Sequence, residues 1–211
     1  MQKESSIVVI GMGKMGSAIA LRLVQCGVNV TLTARSKTAQ ERWLLAHPSL
    51  EGVNIVVGNE VAREAGVVLL AVKPANLSEL YLELKGQLAP NCLVISVVAG
   101  ATVSALSDGL NHQRVVRAMP NLAAEYGEAV TVWYSQNLEE EYLQRASGLF
   151  GQLGKEYRVN MEKHIDQATA LFGSGPAFVY YFMEAMVEAG MLIGFPKDRL
   201  RELMVQMVRG T

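Results

Sequence analysis

The chain has 211 residues with a formal net charge of −1, and 50% of its side chains are hydrophobic. Its lysines and arginines are scattered, so it lacks the basic stripe that nucleic acid or an anionic membrane surface would require, and no stretch is long and apolar enough to span a bilayer. Two cysteines are too few for a disulfide framework or a thiolate metal site, so we expect a cytoplasmic protein without nucleic-acid, membrane or metal partners.

The first elements predicted from the sequence are a strand, a turn and a helix around three glycines. Ile7–Ile10 are four β-branched residues that suit a strand buried on both faces, and the residues after Gly16 have the pattern of an amphipathic helix. Gly11, Gly13 and Gly16 have the G-x-G-x-x-G spacing of a dinucleotide-binding turn. In such a turn the first glycine makes the bend, the second lets the backbone approach a diphosphate, and the third allows close packing of helix and strand. Glycines of an ordinary tight turn are the alternative.

The residues after the second predicted strand, Val28–Thr33, indicate which dinucleotide fits. At this point of the fold an acidic residue binds the ribose hydroxyls of NAD, whereas a cation binds the additional phosphate of NADP. The chain has Ala34, Arg35 and Ser36 here and no acid before Glu41. Arg35 can form a bidentate bond to a phosphate and Ser36 can donate another hydrogen bond, so the sequence favours NADP(H) over NAD(H). A solvent-exposed loop arginine is the alternative.

Strands and helices continue to alternate as far as residue 119. The pattern predicts strands over 55–57, 67–72, 93–98 and 115–119, and helices over 38–47 (closed by Pro48), 77–88 and around Leu106 and Leu110. This alternation matches two mononucleotide-binding halves and therefore predicts an α/β fold with a doubly wound parallel sheet. Lys73, at the carboxyl end of a strand, would lie over the ligand crevice of such a sheet, although a strand-end lysine is often simply solvated.

An added edge strand over 129–134, a helix over 138–153 and a short strand over 157–159 would complete a first domain of residues 1–160. The remaining residues, 161–211, are predicted to be helical. Residues 177–193 are apolar almost all round, and a second apolar stripe follows Pro196, so each helix needs cover that the other is too short to give. The pattern predicts a homodimer, or a higher homo-oligomer, in which these helices pack against their symmetry mates. If the chain is longer than these residues, cover supplied by the additional residues is the alternative.

The motif Gly173-Ser174-Gly175-Pro176 opens the first of these helices. Pro176 suits the first helical position, and the free N–H groups of a helix start could hold a substrate carboxylate, which makes Ser174 and Gly175 candidates for substrate binding. Close helix crossing explains the glycines as an alternative. The sequence has no Cys/His cluster with metal spacing and no G-x-S-x-G elbow, so a bound cofactor must supply the chemistry.

Five motifs occur along the chain in a characteristic order: Gly11–Gly16, Ala71–Pro74, Ser96–Gly100, Arg117–Asn121 and Ala170–Ala177. Together they resemble the pyrroline-5-carboxylate reductase family, which catalyses the last step of proline synthesis, and the similarity runs over nearly the whole chain. The resemblance implies a Rossmann-type NADP-binding domain followed by an all-α dimerisation segment. It also implies reduction of a cyclic imino acid, 1-pyrroline-5-carboxylate, to L-proline by hydride transfer to the imine carbon.

The resemblance further implies which residues bind the cofactor and the substrate. The NADPH site would be lined by Gly11, Met12, Gly13, Lys14, Met15, Ala34, Arg35, Ser36, Asn59, Ala71, Val72, Lys73, Pro74, Val97, Val98 and Ala99. Asn121 would lie beside the substrate crevice, together with Ser174 and Gly175. A cyclic imine arrives protonated, so the protein would orient it rather than supply a strong acid, and no catalytic residue is assigned.

The chain departs from the family in three places. Leu122 and Ala123 follow Met-Pro-Asn where the family has Thr-Pro, and Phe172 stands where the family has a small residue or serine. The family's Ser-Pro-Gly-Gly-Thr-Thr loop, which binds the substrate carboxylate, does not occur within these 211 residues. We therefore expect either a longer chain or a short relative with a different substrate site.

Two alternatives stay open. One is a non-catalytic dinucleotide-binding regulatory relative of the same fold, which the departures from the family favour. The other is a related imine or β-hydroxyacid reductase. A β-hydroxyacid dehydrogenase needs a catalytic lysine motif in its helical domain, and Lys163 and Lys197 do not match that motif.

Overall fold

The computed structural model describes residues 6–47 and 53–211. Within them the strands are β1 (Ile7–Ile10), β2 (Val30–Ala34), β3 (Asn54–Val57), β4 (Val67–Leu70), β5 (Leu93–Ser96), β6 (Val115–Met119), β7 (Ala129–Ser135) and β8 (Gly154–Arg158). They form one sheet in the order β3-β2-β1-β4-β5-β6-β7-β8. The first six strands pair in parallel, so the doubly wound parallel sheet is confirmed. The strand order reverses between β1 and β4, where such sheets bind ligands.

The last two strands differ from their prediction. β7 runs antiparallel to β6 and pairs in parallel with β8, so it is an interior strand and not the edge strand expected. β8 begins directly at Gly154 instead of residue 157. Gly154 has φ +142°, and a Cβ added there would lie 2.3 Å from the Ala129 carbonyl oxygen, so glycine permits the direct change from helix to strand.

Helices cover both faces of the sheet and then continue beyond it. The helices of the described residues are α1 (Lys14–Gln25), α2 (Lys37–Ala46), α3 (Leu77–Leu84), α4 (Val103–Leu110), α5 (Glu140–Leu153), α6 (Lys163–Ala168), α7 (Gly175–Leu192) and α8 (Lys197–Arg209). The predicted stop of α2 at Pro48 lies outside the described residues. α3 ends four residues earlier than expected, because Gly86 takes φ +66° just after it.

Alternate residues of the central strands face two separate cores. Ile7 and Val9 of β1 point to one face, where they meet side chains of α1, α2 and α5. Val8 and Ile10 point to the other face, which α3 and α4 cover. Because β1 is buried on both faces, its uninterrupted β-branched sequence is explained by its central position in the sheet.

The helical segment, residues 161–211, has far fewer buried residues than the sheet and the helices that cover it. A π-helical turn, Thr169–Gly173, connects α6 to α7, and α7 contains no buried residue in the single chain. Its aromatic side chains are widely exposed, with Tyr181 at 77% and Phe182 at 60%. None of the helices in the described part of the chain is long and apolar enough to cross a membrane. The apolar sequence of α7 is therefore left without cover in one copy of the chain.

Candidate functional site

The three glycines of the turn between β1 and α1 meet different surroundings. Gly11 has φ +114°, and a Cβ added there would lie 2.7 Å from the Ala71 carbonyl oxygen. A Cβ on Gly16 would lie 1.9 Å from the Gly11 carbonyl oxygen, so only glycine fits where helix and strand touch. A Cβ on Gly13 would have no atom within 4 Å. The backbone at Gly13 is thus open to a ligand, and this cradle fits a diphosphate.

The start of α1 offers N–H groups to such a ligand. Gly13 is the N-cap, it provides no side-chain cap, and the first turn of α1 contains no acidic residue. The helical hydrogen bonds begin with the N–H of Ser17, which donates to the Gly13 carbonyl oxygen at 2.9 Å. The N–H groups of Lys14 and Met15 therefore precede the helical hydrogen-bond ladder, and the helix dipole makes this end attractive to an anion.

An open cleft of about 850 Å³ extends from this turn along the carboxyl ends of β1, β2 and β4. Of the residues predicted for the cofactor, it brings together Gly11, Met12, Gly13, Ala34, Arg35, Asn59, Ala71, Val72 and Lys73. Met15, Ser36, Pro74, Val97, Val98 and Ala99 are not on its wall. Met15 packs against the core and Val98 is only 2% exposed, so their side chains turn inward.

The cleft also contains charged residues that sequence analysis missed. Arg63, Glu60, Glu79 and Glu83 line it together with Arg35 and Lys73. Glu60 and Arg63 come from a short 3-10 helix after β3, Glu60–Glu64, and Glu79 and Glu83 come from α3. For Glu60 and Arg63 the signal in the sequence is their position soon after a strand, at the carboxyl edge of a parallel sheet. Glu79 and Glu83 lie farther along the chain and have no such signal. The cleft is therefore a mixed electrostatic surface and not a purely cationic one.

Three contacts involve the side chains at and around Arg35. The guanidinium Nη2 of Arg35 lies 3.8 Å from Glu79 Oε2, and both side chains are largely exposed. Asn59 is fixed on two sides, because it accepts a hydrogen bond from Thr33 Oγ1 at 2.7 Å and donates one to Glu83 Oε2 at 2.6 Å. The cleft is thus pre-shaped at Asn59 and loosely held at Arg35.

Ser36 has a structural task next to Arg35. It is the N-cap of α2, where its Oγ accepts a hydrogen bond from the Ala39 N–H at 3.2 Å. The hydroxyl proton of Ser36 is not used in that bond. Ser36 can therefore cap its helix and still donate to a phosphate.

A second cavity of about 610 Å³ lies on the other side of the glycine turn and shares Met12 and Gly13 with the cleft. Its lining includes Lys14 together with side chains of α1, the end of α2, the turn 122–126 and the start of α7. Sequence analysis missed three of its aromatic residues, Trp43, Tyr126 and Tyr180. These residues share no sequence pattern because the fold brings them together from separate elements.

Two of the residues that distinguish the chain from the family, Leu122 and Ala123, line this second cavity. Trp43 is held in place there, since its Nε1 donates to Ser17 Oγ at 2.7 Å and its ring stacks on His47 with 4.2 Å between centroids. The walls are thus mainly apolar and aromatic, as in many small-molecule sites.

The predicted substrate residues lie near one another but not as expected. Asn121 is 8% exposed, and its Nδ2 donates to the Phe172 carbonyl oxygen at 3.2 Å, while its Oδ1 has no partner in the described residues. The expectation that Ser174 offers a free N–H is wrong. This N–H donates to the Thr169 carbonyl oxygen at 2.9 Å, because α7 is preceded by the π-helical turn rather than by a loop. Gly175 begins α7, so Pro176 is the second helical residue.

The described residues hold few other groups suited to catalysis. Burial raises the pKa of the Cys92 thiol to about 11 and lowers the pKa of His112, and both side chains lie in the core away from the two cavities. No group of three or more His, Cys, Asp or Glu in the part of the chain that is described could hold a metal ion. The described groups are therefore suited to binding and orientation.

Two family models match the chain. Residues 6–100 match the model described as NADP oxidoreductase coenzyme F420-dependent, and residues 162–211 match the model described as pyrroline-5-carboxylate reductase dimerisation. The pyrroline-5-carboxylate reductase of Methanosarcina acetivorans is 34% identical over 211 residues, which cover 99% of this chain and 78% of that relative.

Solved structures agree with these matches. The pyrroline-5-carboxylate reductase of Coxiella burnetii superimposes with a TM-score of 0.86 at 30% identity, covering 99% of this chain and 78% of that one. The pyrroline carboxylate reductase of Plasmodium falciparum, solved with NADP bound, has a TM-score of 0.85 at 26% identity and covers 100% of this chain and 78% of its own.

Proposed function

Because the chain belongs to the pyrroline-5-carboxylate reductase family, we propose that it reduces 1-pyrroline-5-carboxylate to L-proline with NADPH as the cofactor. The single observation that carries this proposal is the glycine cradle at Gly13. It opens into a cleft at the carboxyl edge of the sheet, and that cleft also contains Arg35. NADPH, when bound, would supply the hydride that the imine carbon receives.

Different residues in and beside the cleft would bind the different parts of NADPH. The backbone of Gly13 and the N–H groups at the start of α1 would hold the diphosphate. Arg35, with the hydroxyl of Ser36 beside it, would bind the additional phosphate that distinguishes NADPH from NADH. Asn59 and Lys73 would complete the wall, with Asn59 already held by Thr33 and Glu83.

The substrate would bind on the other side of the glycine turn. The second cavity supports this assignment because it borders Gly13 and is lined by Leu122 and by the start of α7. Asn121 directly precedes Leu122 but is not itself on the wall of this cavity. Its Oδ1 is a buried acceptor without a partner in the described residues, so it could accept a hydrogen bond from a protonated imine nitrogen that reaches it. Gly175 stays a candidate for the substrate carboxylate. Holding the two reactants in a productive geometry would provide most of the rate enhancement.

We also propose that two copies of the chain pair through α7 and α8. The exposed apolar side chains of α7 support this, since one copy leaves them without cover. The family model that matches residues 162–211 describes a dimerisation segment.

The direct test of the proposed activity mixes the protein with 1-pyrroline-5-carboxylate and NADPH. We expect NADPH absorbance to fall and an equal amount of L-proline to form. In a comparison variant, Gly13→Ala, NADPH binding and with it the activity should fall, because the added Cβ would enter the open cradle without touching the rest of the turn. Tight NADPH binding without any proline would contradict the proposal.

That outcome would favour the second candidate, a non-catalytic regulatory relative, for which Leu122, Ala123 and Phe172 are the specific observations. The β-hydroxyacid alternative has no comparable support. Lys163 and Lys197 lie at the starts of α6 and α8, and neither lines the cleft or the second cavity.

A further inference from the structure

One carboxylate oxygen joins three parts of the fold. Glu162 Oε1 accepts a hydrogen bond from the backbone N–H of Val103 at 2.7 Å and from Nη1 of Arg117 at 3.3 Å. Val103 is the first residue of α4, Arg117 lies in β6, and Glu162 directly precedes α6. The contact therefore connects the sheet, the start of α4 and the start of the helical segment.

The burial of these groups makes the contact costly to lose. The Arg117 side chain is 2% exposed and that of Glu162 is 25% exposed. Arg117 has a second carboxylate partner, because its Nη2 lies 2.5 Å from Asp166 Oδ1, but the Asp166 side chain is 65% exposed. Glu162 is thus the better buried of the two partners, and it is the one that also holds Val103.

Glu162 also completes the N-terminus of α4. Thr102 is the N-cap of this helix, and its Oγ1 accepts the N–H of Ala105 at 3.2 Å. The N–H of Val103 has no acceptor within its own helix, and Glu162 supplies one from a distant part of the chain. A carboxylate at this end is also favoured by the helix dipole.

The segments that Glu162 joins carry residues that the family resemblance assigns to the cofactor and substrate sites. The loop that ends at Val103 begins with Val97–Ala99, which the resemblance assigns to the NADPH site, although none of the three is on the wall of the cleft. From Glu162 the chain runs through α6 into the turn whose Phe172 carbonyl oxygen accepts the Asn121 hydrogen bond. Any tilt of α6 would therefore move the predicted substrate residues relative to the loop.

We propose that Glu162 is a positioning residue that fixes the loop before α4 against the segment carrying Phe172 and Gly175, to which Asn121 is hydrogen-bonded. It acts through Val103 and Arg117 and does not touch either reactant. This inference rests on the proposed reductase function, because the geometry it sets is that of the two reactants.

The test compares three variants. Glu162→Ala removes both hydrogen bonds, and Glu162→Gln keeps an uncharged acceptor of the same shape. Asp166→Asn weakens the Arg117 pair without touching Val103. Each is measured for kcat and KM with 1-pyrroline-5-carboxylate, for NADPH affinity, for thermal unfolding, and for hydrogen exchange of residues 97–106.

We expect Glu162→Ala to lower kcat about tenfold or more, as loss of a hydrogen bond to a charged group predicts, with NADPH affinity changed less than about twofold. We expect Glu162→Gln to restore most of kcat and Asp166→Asn to change it little. Hydrogen exchange in residues 97–106 should accelerate in Glu162→Ala alone. If kcat instead follows the unfolding temperature across all three variants, or if exchange is equal in all three, the proposal is overturned.

Failure of the proposed reductase function would be distinguishable from failure of the inference about Glu162. A wild-type protein that binds NADPH without turning over the imine would contradict the reductase function. The hydrogen-exchange measurement would still test whether Glu162 fixes the loop before α4. Faster exchange in Glu162→Ala alone supports this role, and equal exchange in all three variants overturns it.

Discussion

At the scale of single residues, Arg35 is proposed to bind the additional phosphate of NADPH, and its only ion pair in the described residues, with Glu79, is weak. Its guanidinium faces Glu79 at 3.8 Å, and both groups are mostly in water, so the pair itself contributes little to stability. A phosphate that binds at Arg35 would therefore displace a weakly held partner, Glu79. The charge at this position should then affect the choice of cofactor more than it affects the fold.

We expect Arg35→Asp to weaken NADPH binding by about 10- to 100-fold, the loss typical of a charge-assisted hydrogen bond, and to change NADH binding little. Fluorescence titration with both nucleotides measures the two dissociation constants. In the reciprocal variant, Glu79→Gln, NADPH binding should tighten by a few-fold, because one carboxylate next to the phosphate is gone. Glu64→Gln is the control, since Glu64 is exposed and lies outside the cleft. Equal losses for NADPH and NADH in Arg35→Asp would remove Arg35 from the phosphate site.

Sequence alone could identify Gly11, Gly13 and Arg35, because each lies at a fixed offset from a strand with a strong pattern. It could not identify Arg63 or Trp43. Both reach their cavities from elements whose own patterns are weak, and only the folded sheet brings them near the glycine turn. Local spacing predicts residues within one motif, whereas a cavity wall also depends on distant parts of the chain.

At the scale of elements, the turn between β1 and α1 offers a matched pair of substitutions. A Cβ on Gly16 would collide with the Gly11 carbonyl oxygen, whereas a Cβ on Gly13 would meet open space. Substitution of Gly16 therefore tests the packing of the turn, and substitution of Gly13 tests its proposed role in holding the cofactor.

We expect Gly16→Ala to lower the free energy of unfolding by about 1–3 kcal/mol or more, the cost of overpacking against backbone. Gly13→Ala should leave the unfolding midpoint nearly unchanged and raise the NADPH dissociation constant by at least about tenfold, or about 1.4 kcal/mol. Chemical denaturation and nucleotide titration measure the two effects. Loss of stability in Gly13→Ala, or normal binding in it, would contradict the assignment.

The elements themselves were predictable where hydrophobic periodicity is strong. β1, β4, β5 and β6 are buried on both faces, and all four were expected within two residues at each end. β8 was misjudged because Lys155 and Glu156 make it polar, and its pairing with β7 depends on the conformation of Gly154. The antiparallel direction of β7 follows from a connection that periodicity does not encode.

At the scale of the whole molecule, the exposed side of α7 is the surface through which we propose that copies of the chain pair. Phe178 and Phe182 are four residues apart and therefore share one face, and they are 65% and 60% exposed. A surface of this kind favours association over a solvated monomer.

We expect the wild-type protein to sediment as a dimer or a higher oligomer, and Phe182→Glu to raise the dissociation constant at least about a hundredfold, because an unpaired charge would be buried between the copies. Analytical ultracentrifugation measures the change. Glu188→Gln, a neutral change at an exposed polar position of the same helix, is the control. A wild-type protein that stays monomeric at high concentration would contradict the pairing of α7.

The π-helical turn before α7 sets the direction of that apolar face. The Ser174 N–H reaches back five residues to the Thr169 carbonyl oxygen, so the turn accommodates one residue more than an α-helical turn would. Each residue of an α-helix advances the screw by about 100°. Deleting a single residue from Thr169–Gly173 would therefore rotate every downstream side chain about the helix axis by that angle and turn the exposed aromatic side chains of α7 away from the partner copy that we propose. The orientation of α7 in the proposed dimer would depend on the one additional residue of the π-helical turn.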